Sequence, residues 1–190
     1  MDTRVKMCGL IFVLVAALVT VASGQVVLNH GCQNVSVVQK FDMAKYMGFW
    51  YDYEKVNSFQ ARGKCLTANY TLRSDGTVSV HNKMVISSTG ETTEIFGSAT
   101  LDSSVDEAKL KVVFSTHGNR EAPYWVLSTD YTNYSVVWAC ESQASGSKQF
   151  AWVLTRSRSP SKSVLLTARE VIARNNLTDL PLELTPQNCS

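Results

Sequence analysis

The sequence predicts an all-β protein: an eight-stranded antiparallel up-and-down barrel with one C-terminal α-helix packed outside it. Three observations predict this. Between Trp50 and Arg156 nearly every segment is a short run of alternating apolar and polar residues bounded by turn residues, the mark of an antiparallel sandwich or barrel and not of βαβ units. Two strand-like segments roughly a hundred residues apart, Gly48-Phe49-Trp50-Tyr51 and Phe150-Ala151-Trp152-Val153-Leu154-Thr155-Arg156, each carry a residue that makes sense only with the other. If the sheet closes, first and last strands become neighbours and the Arg156 guanidinium can lie on the Trp50 indole. A desolvated cation–π contact of that kind is worth up to about 2 kcal/mol. It plugs one end of the barrel and leaves the other open, which implies a carrier and not a catalyst. The third observation is a single apolar stripe at helical spacing after the last strand.

The elements follow in order. Residues 1–24 read as a secretory leader: Arg4 and Lys6 at the start, an apolar run from Leu10 to Val21, and Ala22-Ser23-Gly24 before Gln25. The run is too short to span a bilayer, and the tail lacks the hydrophobic end of a lipid-anchor signal. A secreted, extracellular single domain over 25–190 is expected. A short helical turn near Asp42 to Tyr46 is expected to cover the closed end. Strands fall near 49–57, 66–73, 77–86, 92–100, 108–114, 123–129, 134–141 and 149–156. Turns fall at Ser74-Asp75-Gly76, Thr89-Gly90, Asp102 to Asp106, His117-Gly118-Asn119, Thr132-Asn133 and Ser145-Gly146-Ser147. Eight strands is the number at which a closed barrel can hold one small ligand. The connection from Asn57 to Lys64, carrying Phe59, forms a rim loop suited to act as a lid or to touch a membrane or lipoprotein surface. The helix starts with Ser159 as N-cap and Pro160 at its first position. Val164, Leu165, Ala168, Val171 and Ile172 form its buried face, and Asn175-Asn176 end it.

Composition narrows the function. The leader carries two of the 18 basic and one of the 16 acidic residues, so the mature chain lies within one charge of neutrality. No basic stripe interleaved with aromatics stands out, and nucleic acid is excluded as a partner. Once Cys8 leaves with the leader, Cys32, Cys65, Cys140 and Cys189 remain, an even set that reads as two disulfides with three possible connectivities. Their spacing does not suit zinc. Asn34, Asn69, Asn133 and Asn176 head glycosylation sequons; Asn188 is discounted because Cys189 stands inside its motif. His30, His81 and His117 are scattered, and there is no His-Glu-x-x-His, glycine-rich phosphate loop or Gly-x-Ser-x-Gly. Neither a catalytic nor a metal site is expected.

Period two assigns the interior. A sugar on Asn69 must point out, which turns Ala68, Tyr70 and Leu72 in. With Arg156 directed at Trp50, the residues sharing its face are Leu154, Trp152 and Phe150. Leu110, Val112 and Phe114 alternate against Lys109 and Lys111; Val78, Val80 and Met84 alternate against Ser79, His81 and Lys83. The first strand resists the scheme. Trp50 inward puts Asp52 and Glu54 on the same face, where unpaired carboxylates are costly. Either a bulge switches the parity, or the acids sit at a wet part of the cavity with partners such as Tyr70.

These residues resemble the lipocalins, and within them the branch of apolipoprotein D, the Lazarillo proteins and the insect bilin-binding proteins. Gly48-Phe49-Trp50, Thr129-Asp130-Tyr131 and Arg156 stand in the order of that family's three motifs. Gly63-Lys64-Cys65, Ala68-Asn69-Tyr70, the run from Ala122 to Tyr131 and Phe150-Ala151-Trp152-Val153-Leu154 are similar to the same branch. The resemblance implies the barrel and selects the pairing Cys32 with Cys140 and Cys65 with Cys189. It implies that Tyr70 and Trp152 line a ligand pocket, with Tyr124, Phe114 and Trp138 as further lining candidates. For Tyr124 and Trp138 ordinary wall packing stands beside ligand contact. Leu110, Val80, Met84 and Phe150 complete the expected wall, and Gly48, Trp50 and Arg156 close the base without touching ligand. The function implied is an extracellular carrier of a small hydrophobic ligand such as a lipid, fatty acid or retinoid, with no required cofactor. A biliverdin pigment protein is the alternative. A lipocalin-type isomerase is a second alternative, and it needs a free cysteine in the cavity.

Overall fold

A computed structural model describes residues 27–56, 63–102 and 107–189. The expected leader, Phe59 with most of its rim loop, and residues 103–106 of one turn lie outside the described residues. The chain forms β1 (Val27–Leu28), α1 (Met43–Tyr46), β2 (Gly48–Val56), β3 (Gly63–Leu72), β4 (Val78–Ile86), β5 (Thr92–Leu101) and β6 (Lys109–Phe114). A 3₁₀ turn at Ser115–His117 leads into β7 (Glu121–Thr129), β8 (Tyr134–Gln143), β9 (Gly146–Thr155), α2 (Lys162–Arg174) and β10 (Leu182–Leu184).

From β2 to β9 each strand pairs antiparallel with the next, and β9 pairs back onto β2, so the meander closes into an eight-stranded barrel. All eight expected strands are present with small shifts at their ends. Two short strands were not expected. β1 pairs with β9, and β10 lies along β2 opposite Glu54 to Val56. Two or three residues are too few for a period to show, so both depend on edges that exist only in the folded barrel. The tail beyond β10 is held by Thr185 N–H to the Tyr53 carbonyl and by Cys65 N–H to the Pro186 carbonyl.

The wall buries apolar residues on both faces. An interior cluster contains Trp50, Tyr70, Val80, Leu110, Val112, Val126 and Leu154. An outer cluster packs Leu127, Val136, Trp138, Ala151 and Val153 beneath Ala168, Val171 and Ile172 of α2. The helix starts two residues later than expected. Ser161, not Ser159, is the N-cap, because its Oγ accepts from Val164 N–H three residues on, and Pro160 precedes the cap. At its other end Asn175 accepts from Ser36 N–H and donates to the Val171 carbonyl, pinning the N-terminal segment to the helix. The β8–β9 turn is also tighter than expected. Gln143 already faces Gly146, so Gly146 and Ser147 belong to β9.

The disulfides are Cys32–Cys140 and Cys65–Cys189, the pairing the resemblance selects. They span 108 and 124 residues. On the chain-entropy account a closed loop of that size stabilises by about 5 kcal/mol. The first ties the N-terminal segment to β8, and the second ties the tail to β3.

Candidate functional site in the barrel interior

The closed end is built around Trp50, whose side chain has no solvent access and whose Nε1 donates to the Tyr46 carbonyl at 2.9 Å. The Arg156 Cζ lies 3.6 Å from the centre of its ring. The same guanidinium donates to the carbonyls of Phe49 (2.7 Å), Met47 (2.8 Å), Tyr131 (3.0 Å), Tyr46 (3.2 Å) and Lys45 (3.3 Å). One cation thus caps the last turn of α1, the start of β2 and the β7–β8 turn together. Gly48 is required there: its φ is +92°, and a Cβ would lie 3.4 Å from Arg156 Nη1.

Thr129-Asp130-Tyr131 acquires a physical role in this frame. The Asp130 carboxylate accepts from the backbone of Thr132, Asn133 and Tyr134 and from Asn133 Nδ2, and these bonds hold its pKa down although partial burial opposes them. The turn so fixed presents the Tyr131 carbonyl to Arg156, while Tyr131 Oη accepts from Asp42 N–H at 3.1 Å. The three motif segments form one unit, the floor.

Above the floor runs a chain of hydroxyls. Tyr46 Oη bonds Ser135 Oγ at 2.9 Å and Tyr124 Oη at 3.0 Å, and Tyr124 bonds Tyr70 at 3.0 Å. Burial pushes the Tyr46 phenol up to about 12 and raises those of Tyr70 and Tyr124 as well, so all three are neutral at physiological pH. Higher still, Phe150 stacks on Trp152 at 5.9 Å and Trp152 stacks on Tyr124 at 6.5 Å. The ladders place Trp152 opposite Val137, Phe150 opposite Ala139, and Phe114 opposite Gly97. Gly97 has no room for a Cβ, which would meet the Phe114 ring at 2.7 Å. Met84 shares the inward face near the open end, opposite Thr93.

The first strand resolves its conflict by a bulge, since the β2–β9 register shifts between Asp52 and Glu54. Asp52 faces Leu154 and stays inward, whereas Glu54 faces Val153 on the outer side and accepts from Arg169 of α2 at 2.6 Å. The same shift turns Lys55 inward opposite Trp152. Lys55 Nζ donates to Thr185 Oγ1 at 3.3 Å and lies 4.0 Å from Asp52, whose other oxygen accepts from Thr185 at 2.9 Å. Burial drives the Asp52 carboxyl up to about 6 against the pull of Lys55 and Thr185. No local pattern marks Lys55, because the bulge that turns it inward is set by pairing with β9.

Asn82 was also missed. It faces Ala68 and Ile95 on the inward side, and its Oδ1 is buried without a hydrogen-bond partner. The alternation that assigned Val78, Val80 and Met84 inward contains Asn82 by the same spacing.

Of the expected wall residues, Tyr70, Trp152, Tyr124, Phe114, Phe150 and Met84 come together in the middle and upper interior. Val80 and Leu110 are packed into the buried interior cluster. Trp138 is a correction. It packs against Trp125 in the outer cluster beneath the helix, and its Nε1 donates to buried Gln149 Oε1 at 3.0 Å. Leu72 keeps inward parity, yet at the end of β3 it is exposed. His30 pairs with Asp179, and His81 with Glu94, both near the surface. Among the described residues no group of His, Cys, Asp or Glu could hold a metal ion, and no helix is long and apolar enough to cross a membrane.

A closed up-and-down barrel floored by an arginine–tryptophan pair, with inward aromatics toward its other end, defines the class of this protein. The chain belongs to the lipocalin family: a family model described as a lipocalin-like domain matches residues 41–187. Apolipoprotein D of Cavia porcellus is 35% identical over 182 residues, covering 95% of each chain. The bilin-binding protein of Pieris brassicae is 34% identical over 154 residues, 77% of this chain and 78% of that one. Among solved structures, insecticyanin of Manduca sexta superposes with a TM-score of 0.74 at 21% identity, over 85% of this chain and 89% of that one.

Proposed function

We propose that the protein is a secreted extracellular carrier that binds one small hydrophobic ligand, such as a lipid, fatty acid or retinoid, inside the barrel. One observation carries the reading. The floor is sealed, with Trp50 and Tyr46 at most 2% exposed, whereas inward-facing Trp152, Phe150, Phe114 and Met84 all retain partial solvent access. Apolar side chains that face inward and still meet solvent mark the end at which a ligand enters. A ligand covering ~400 Å² of apolar surface gains on the order of 10 kcal/mol gross. Association and ordering costs then leave roughly micromolar to nanomolar affinity. The Tyr70–Tyr124–Tyr46 hydroxyls, Asn82 and Lys55 supply polar groups that orient a ligand within apolar walls. Contact of the Phe59 rim loop with a membrane or lipoprotein surface belongs to the same proposal.

A tetrapyrrole is the second reading, favoured by the 34% identity to a protein named for binding bilin. The thiol-dependent isomerase reading needs a free cavity cysteine, and the disulfides of the four cysteines among the described residues speak for the carrier. Small molecules extracted from native secreted protein are to be identified by mass spectrometry. Fatty acid, retinol and biliverdin are then titrated against tryptophan fluorescence and visible absorption. Trp152→Ala is expected to weaken binding about tenfold, roughly 1.4 kcal/mol, with unfolding unchanged. Unaltered affinity for every ligand removes Trp152 from the site, and red absorption in the native protein selects the bilin.

A further inference from the structure

On the outside of the barrel, β2 to β5 carry four side chains at one level. Phe49 is directly opposite Asn69, Asn69 opposite His81, and His81 opposite Phe96. With neighbouring strands about 4.8 Å apart, the row spans about 14 Å. Its aromatics meet solvent: Phe49 is 45% and Phe96 59% exposed. The rings are held in place, since the His81 imidazole stacks on Phe96 at 4.4 Å and 11°, and Phe49 packs edge-on against Tyr51 at 5.1 Å. Single exposed apolar residues need no explanation, but an aligned set is a surface with a use.

Asn69 stands inside this row and heads the sequon Asn69-Tyr70-Thr71. Asn69 and Thr71 are exposed on the outer face while Tyr70 is buried in the interior, so both sequon groups face solvent. We propose that the first two N-acetylglucosamine units of the glycan expected on Asn69 pack on this row, between Phe49 on one side and the His81–Phe96 pair on the other. The apolar C–H faces of a pyranose suit the electron-rich face of an aromatic ring. Covalent attachment at Asn69 supplies the sugar at high effective concentration, so contacts too weak for a free sugar still form. Asn133 and Asn176 provide internal comparisons. Asn133 Nδ2 is committed to Asp130 at 2.7 Å, and Asn176 follows the end of α2 with φ +56°.

The test uses the full chain secreted from mammalian cells. Glycopeptide mass spectrometry is expected to find Asn69 occupied, and peptide-N-glycosidase is expected to release that glycan from the native protein about tenfold more slowly than the glycan on Asn176. In denatured protein the two rates converge. Thr71→Ala, which removes the sequon at an exposed position, is expected to lower Tm by about 3 °C and to promote self-association. The same substitution in a Phe49→Ser, Phe96→Ser background is expected to leave Tm unchanged. An unoccupied Asn69, equal release rates, or an equal Tm change in both backgrounds overturns the proposal. Self-association of the wild-type glycoprotein through this face also overturns it and makes the row a protein interface. Asn69→Gln, read in parallel, separates loss of the sugar from any effect of Thr71 itself.

Discussion

Arg156→Lys tests the floor of the barrel most directly. The guanidinium lies 3.6 Å over a fully buried indole and serves five carbonyls at 2.7 to 3.3 Å. Lysine keeps the charge but presents a compact ammonium with three donors in place of a planar fork. An ammonium keeps part of the cation–π contact, so that loss is about 1 kcal/mol, and carbonyls left without a donor cost a further ~1–3 kcal/mol together. The expected loss is about 2–4 kcal/mol, a large share of the ~5–15 kcal/mol that holds a typical domain. In a chain of this size that lowers Tm by roughly 10 °C. The assay is urea unfolding with disulfides intact, followed by near- and far-ultraviolet circular dichroism. Trp50→Phe closes a double-mutant cycle, with an expected coupling of about 1–2 kcal/mol. If the double variant loses the sum of the single losses to within ~0.5 kcal/mol, the indole and guanidinium do not stabilise each other. The carbonyl bonds alone would then hold the floor.

Three further outcomes are expected. Trp138→Phe leaves Gln149 Oε1 buried without its donor and costs about 1–3 kcal/mol, with ligand affinity unchanged; an affinity loss beyond about threefold would put that ring on the ligand. Asp52 has a folded pKa of about 6, above the ordinary 3.8, so its contribution to stability is fully present below pH ~4 and is lost as pH rises through ~6, by up to about 3 kcal/mol. Asp52→Asn removes that slope, and unfolding free energies measured from pH 4 to 7.5 that stay parallel for the two proteins would refute the burial argument. Ser161→Ala loses about 1 kcal/mol of helix capping in thermal unfolding whereas Ser159→Ala loses none; the reverse order would restore Ser159 as the cap.

The sequence was legible wherever one face of a strand is apolar and the other polar. Lys109-Leu110-Lys111-Val112 and Val78-Ser79-Val80-His81 read correctly because water holds the charged side. The run Val136-Val137-Trp138-Ala139 did not, since α2 covers the outside of β8 and both of its faces are apolar. Period two is invisible in such a strand, which leaves Trp138 open between ligand contact and wall packing until the structure places it in the outer cluster. The parity conflict at Asp52 and Glu54 was itself informative, because it left either a bulge or partnered acids; the bulge turns Glu54 out, and Asp52 stays in with Thr185 and Lys55 as partners.

By itself the sequence determined the eight barrel strands, the helix, the Trp50–Arg156 floor and the inward set led by Tyr70 and Trp152. Those follow from local alternation and from residue types that need a particular partner. Only the tertiary structure decided that Lys55 turns inward, that Trp138 lies under the helix, and that Phe49, Asn69, His81 and Phe96 align on the surface. The first depends on the pairing of β2 with β9 at barrel closure, the second on where α2 packs, and the third on the register of three successive hairpins. None of these is written in the alternation of a single strand.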